Sequence, residues 1–154
     1  MTTTLDPQQT APEGLRERRE AESALDGLRS RFRSPTPPEP RDWPAMRGEV
    51  RRLSGLLSAF LAFEEGPDDW PEALVSEVPR MSGRGEALRR ERAQLRSEAS
   101  RLSRDASLSD ASDPLGYAQL RARFARLDAR LRRHFEEIRS LVQDSYCDDI
   151  GAGD

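Results

Sequence analysis

Apolar residues recur every three or four positions along four separate stretches of the chain, and no stretch shows the strict alternation of a half-buried strand. In the first stretch Arg18, Ala21, Leu25, Leu28 and Phe32 fall on one side of a helix that the spacing carries from about residue 12 to Arg33. The prolines of SPTPPEPRDWP, residues 34–44, lack amide hydrogens and restrict the residues before them, so this segment is a stiff connector. A proline-recognition ligand is the other reading of such a composition. A second helix is predicted from near Ala45, with Met46, Val50, Leu53, Leu57, Phe60 and Glu64 at alternating spacings of four and three.

GPDDWP breaks the chain after that helix, and a short amphipathic piece, EALVSEV, is closed by Pro79. The third helix begins around Ser82, a plausible cap, with Gly83 and Gly85 weakening its first turn. Its stripe is Leu88, Arg92, Leu95, Ala99 and Leu102, so an arginine stands where an apolar residue is expected. The polar SLSDASDP then ends in a strong start signal, Asp113 as cap and Pro114 in the first turn. In the fourth helix Tyr117, Leu120, Phe124, Leu127, Leu131, His134, Ile138 and Leu141 keep the three-four alternation without a lapse, predicting a helix from 117 to 146 of roughly 45 Å. Four amphipathic helices and no strand imply an all-α fold, an antiparallel up-down four-helix bundle over residues 12–154. Residues 1–11, polar and without periodicity, read as a disordered tail.

Size and composition agree with one such domain. The chain has 154 residues, 35% apolar and 34% charged, a balance suited to narrow apolar stripes on helices rather than a thick sheet core. Lysine is absent. The 25 basic residues are all arginine, interleaved with 28 acids for a net charge of -3, which argues against a nucleic-acid partner and for an ion-paired helix surface. Cys147, the only cysteine, cannot form an internal disulfide, and the first residues lack the basic start and apolar run of a signal peptide. No apolar run approaches the length needed to cross a bilayer. The expectation is a cytoplasmic protein with no membrane partner.

Three ionisable residues, Glu64, Arg92 and His134, interrupt the stripes of three different helices. A buried charge without a partner costs several kcal/mol, so these residues require each other, a metal, or water. A ferritin-like di-metal site is excluded, because it needs carboxylates on all four helices and a Glu-x-x-His motif on two, whereas Leu131 stands three residues before His134. A zinc site wants about four donors, and one histidine and one cysteine leave it to be completed by acids from outside the pattern.

The segment FLAFEE, the LRRERAQL helix and the ending HFEEIRSLVQDSYCDDIGAGD resemble bacterial hemerythrin-like (HHE) domains over about residues 12–154. That resemblance implies a four-helix bundle and, in the usual members, a non-haem di-iron centre. It also implies where the ligands would stand. The histidine and acid of one helix correspond to Phe60 and Glu64, a Glu-His pair on the next corresponds to Glu91 and Arg92, and the ligands of the last helix correspond to His134 and Ile138. No residue of the first helix can supply the remaining histidine. Glu64 and His134 are then vestigial ligand positions, and Phe60, Arg92 and Ile138 are substituted ones. On this reading no iron and no other cofactor is held, and Arg92 supplies fixed positive charge in place of the metal, paired with Glu64.

Other chemistry is weaker. His134 has no serine or cysteine at a spacing that would make it a general base, and acids beside Cys147 disfavour its thiolate. The DDIGAGD ending is too short for a calcium loop, and is read as Gly151 closing the last helix with Ile150 folded back as a plug. The expected protein is therefore no enzyme. It is a binding or regulatory bundle with a degenerate metal site, whose partner is an unidentified protein or a second copy. The alternatives are a residual metal or small-ligand sensor holding one weakly bound ion, and an oligomeric scaffold paired through the seam of the fourth helix.

Overall fold

The computed structural model describes residues 13–63, 82–109 and 113–151. Among them the chain forms four α-helices and no strand: α1 (Glu13–Phe32), α2 (Trp43–Phe63), α3 (Ser82–Leu108) and α4 (Pro114–Gly151). The tail, residues 1–11, and the short amphipathic piece between α2 and α3 lie outside the described residues.

The predicted stripes are the core. Ala21, Leu25, Leu28 and Phe32 of α1 bury against Met46, Val50, Leu53 and Leu57 of α2, Leu95, Ala99 and Leu102 of α3, and Tyr117 to Leu131 of α4. Arg18, placed on the first stripe by its spacing, stays partly exposed and lays its guanidinium over the Phe135 ring, 5.1 Å from its centroid. Leu61, Ala106 and Trp43 are core residues that lie off the predicted stripes.

Local signals set most helix ends. Asp113 caps α4, accepting from the amide of Leu115 through Oδ1 at 3.1 Å. Helix α2 starts at Trp43, two residues before the sequence expectation, because a proline in the first turn forfeits no intrahelical bond. The connector therefore ends at Asp42, whose carbonyl accepts from Met46 at 3.2 Å. Helix α4 runs 38 residues, about 57 Å at 1.5 Å per residue, and continues through Ile150 to Gly151. Ile150 is thus inside the helix and not in a segment turned back after it. Nothing in SYCDDI breaks a helix, and no described glycine adopts the left-handed conformation that would reverse the chain.

Consecutive helices pack closely, and α1 meets α4 more loosely. Ion pairs give the directions. Arg84 meets Glu137 and Asp144, Arg130 meets Glu91 and Glu98, and Arg123 meets Asp105, so positions on α4 fall as those on α3 rise and the two run antiparallel. Arg18 over Phe135, Arg29 on Asp128 and Phe32 on Phe124 give the same sense for α1 and α4. No helix among the described residues is long and apolar enough to cross a membrane.

Candidate functional site

The stripes carry Arg92 and His134 into the interior, at 1% and 2% exposure, and besides the Tyr117 phenol they are the buried ionisable side chains of the described core. Their level along the bundle follows from their neighbours. Glu91 meets Arg130, so Arg92, the next residue on α3, stands opposite the turn of α4 that runs from Arg130 to His134. The helical period puts both on inward faces, at similar levels along the bundle.

Apolar side chains are among the described residues of this region. Phe60 is buried at 5% and packs on Phe135 with ring centroids 5.8 Å apart, while Ile138, at 4%, lies one turn beyond His134. The Phe135 ring is also 6.1 Å from the imidazole. Five of the six positions implied by the resemblance, Phe60, Glu91, Arg92, His134 and Ile138, are therefore brought into one region of the bundle, and Glu64 falls outside the described residues. Cys147 lies within the α4 backbone, and its side chain is likewise outside the description.

His134 forms part of the wall of a groove of about 400 Å³ between α3 and α4, with Leu88 beside it and Arg84, Glu91, Arg130 and Glu137 along the rim. Each rim carboxylate is already matched to a guanidinium. Arg84 donates to Glu137 at 3.1 Å and to Asp144 at 2.6 Å, and Arg130 reaches Glu91, Glu98 and Gln94. The hydrogen bond to Asp144, then that to Glu137, raises the Arg84 pKa against the opposing effect of burial. For Arg130 burial is the largest influence and acts downward, yet Glu91 and Glu98 together raise the pKa above the ordinary guanidinium value. Glu91 and Glu137 thus serve as the counter-charges of Arg130 and Arg84.

A di-iron centre needs several oxygen and nitrogen donors converging on one point. Here the side chains at the corresponding described positions are an imidazole, a phenyl ring, a guanidinium, a sec-butyl group and the Glu91 carboxylate, which is engaged by Arg130, and among the described residues no three His, Cys, Asp or Glu side chains group closely enough to hold a metal ion. A guanidinium buried in the same layer opposes a cation electrostatically, so this donor set does not fit the group.

Sequence periodicity found the buried Arg92 and His134. It did not find Arg84 and Arg130, whose partners lie between 32 and 60 positions away along the chain. Comparison with family models, with curated proteins and with solved structures finds no match for this chain.

Proposed function

We propose that the chain is a non-catalytic binding or regulatory bundle, with the antiparallel up-down topology of hemerythrin-like domains and without their iron chemistry. One observation carries this reading: the Arg92 guanidinium, 1% exposed, occupies the layer of His134 where the resemblance calls for a metal ligand. A fixed cation in that place holds the facing helices by charge and hydrogen bonding, the role a metal would otherwise fill, and it removes the open coordination position that oxygen or iron chemistry requires.

The regular seam of α4, which could have paired with another copy, supports the same reading, since Tyr117 to Leu141 are buried within the chain itself. What remains for function is the outer surface. Metal analysis of protein purified without chelator, then titrated anaerobically with Fe(II), tests the proposal. The expected result is less than about a tenth of an equivalent of iron and no visible absorption on exposure to oxygen. Two equivalents of iron per chain would overturn it, and one tightly held ion would favour the metal-sensor reading instead.

A further inference from the structure

The loosest helix pair leaves a groove. Between α1 and α4 the surface opens into a cleft of about 580 Å³ that runs along α4 from Ala118 to Arg132, about 21 Å at 1.5 Å per residue. Its base is apolar, with Phe32 and Phe124 nearly covered at 4% and 3% exposure. Phe32 and Phe124 stack there with centroids 4.8 Å apart, and the exposed Ala122 and Ala125 keep the α4 wall low.

The rim is strongly basic. Arg29, Arg33, Arg121 and Arg132 border the cleft against one carboxylate, Asp128, on a chain whose net charge is -3. Asp128 is already saturated: Arg29 donates to both of its oxygens at 2.9 Å, and Arg132 lies 3.4 Å away. Arg29 is also paired with Asp26 at 2.6 Å, so four guanidiniums stand against two carboxylates, and Arg33 and Arg132 carry the excess on exposed side chains.

We infer that this α1/α4 groove is the docking surface for an amphipathic α-helix of a protein partner, one whose apolar stripe is flanked by carboxylates. The length along α4 fits about four turns of one helix laid along two antiparallel ones, with small residues permitting close approach and the arginines fixing register. A second copy offering the same face would set guanidinium against guanidinium, so self-association through this surface is disfavoured. A nucleic acid would meet the charge but leave the apolar floor without a partner. The groove is separate from the one beside His134, so the iron test and the test below fail independently.

The full chain is titrated into a fluorescently labelled designed helix of about three heptads, carrying leucine on one stripe and glutamate on both flanks. The expected result is saturable binding that weakens by about tenfold or more as salt rises from low to above physiological strength, with no binding by the same peptide bearing lysine for glutamate. Arg33→Glu with Arg132→Glu should weaken binding by at least about tenfold, and Ala122→Gln with Ala125→Gln, which leaves the charge intact, by a similar factor. Circular dichroism on each variant establishes that the helices persist. Equal binding of the two peptides, or no binding of either, would overturn the proposal. So would a duplex oligonucleotide that outcompetes the acidic peptide and binds the glutamine variant undiminished, since that would assign the groove to a polyanion.

Discussion

Arg121 of α4 closes the end of α1: its Nε donates to the carbonyl of Phe32 at 2.6 Å and its Nη2 to that of Arg33 at 3.1 Å. The last carbonyls of a helix have no intrahelical donors and carry its negative end, so a guanidinium supplied from another helix both satisfies and neutralises them. Arg121→Met, which keeps most of the stem, should cost about 1 to 2 kcal/mol, with Arg121→Lys intermediate because an ammonium cannot span both carbonyls in one plane. Urea denaturation followed by far-ultraviolet circular dichroism measures this, and a midpoint unchanged in both variants would show the cap to be idle.

One turn earlier on α4, the Tyr117 hydroxyl donates to the carbonyl of Ser34 at 2.7 Å, pinning the start of the connector. Burial pushes the phenol pKa above its ordinary value of 10.0, with the charge of Arg121 opposing in part. The unfolded chain then releases this proton first, so the stability Tyr117 contributes is complete below about pH 10 and is lost as pH rises through the folded-state value. Tyr117→Phe should lose about 1 kcal/mol at neutral pH and should lack that part of the alkaline decline. Stability curves of the two proteins that stay parallel above pH 10 would contradict the assignment.

The buried Arg92 makes a sharper demand. A guanidinium at 1% exposure is tolerable only with its charge compensated, and the three-four spacing of the sequence offers Glu64 as the candidate counter-charge. Arg92→Leu should therefore cost several kcal/mol by stranding a carboxylate, and Arg92→Leu with Glu64→Leu should regain much of the loss, in line with buried ion pairs replaced by apolar groups of like volume. Thermal melts of the three variants decide the matter. Additive losses in the double variant would separate the two residues.

Gly27, Gly48 and Gly55 sit inside α1 and α2 with nothing to require them, and the first and last serve as the test. An added Cβ at Gly27 of α1 or Gly55 of α2 meets no atom within 4 Å, and neither has a positive φ. Gly27→Ala and Gly55→Ala should each stabilise by about 0.5 to 1 kcal/mol, additively, because alanine loses less backbone entropy on entering a helix. The midpoint of chemical denaturation is the readout, and a decrease in either variant would point to a surface contact that needs the bare backbone.

Such predictions draw on two different sources of information. The residues at three-four spacing along α2, Met46, Val50, Leu53, Leu57 and Phe60, are all buried, as are Leu95, Ala99 and Leu102 of α3 and the entire α4 stripe. Periodicity could find them because a helix has one geometry, and an apolar face has to be covered whatever covers it. The same logic singled out Arg92 and His134 before any neighbour was known. It erred where side chains are amphipathic: Arg18 shares the α1 stripe yet keeps its charge in water by lying over Phe135, and Trp43 joins the core from what the prolines suggested was connector.

Thus the chain's own order of residues determined the four helices, their inward faces, the Asp113 cap and the presence of ionisable groups in the core. Only the tertiary structure decided that Arg121 caps a helix 89 positions away, that Asp128 is engaged by Arg29 across 99, and that four arginines gather around a groove with an apolar base. The physical reason is range. Backbone hydrogen bonding and apolar periodicity act within a turn or two and are written in consecutive residues, whereas an ion pair or a groove depends on which surfaces packing brings together, and any of the 25 arginines could have served.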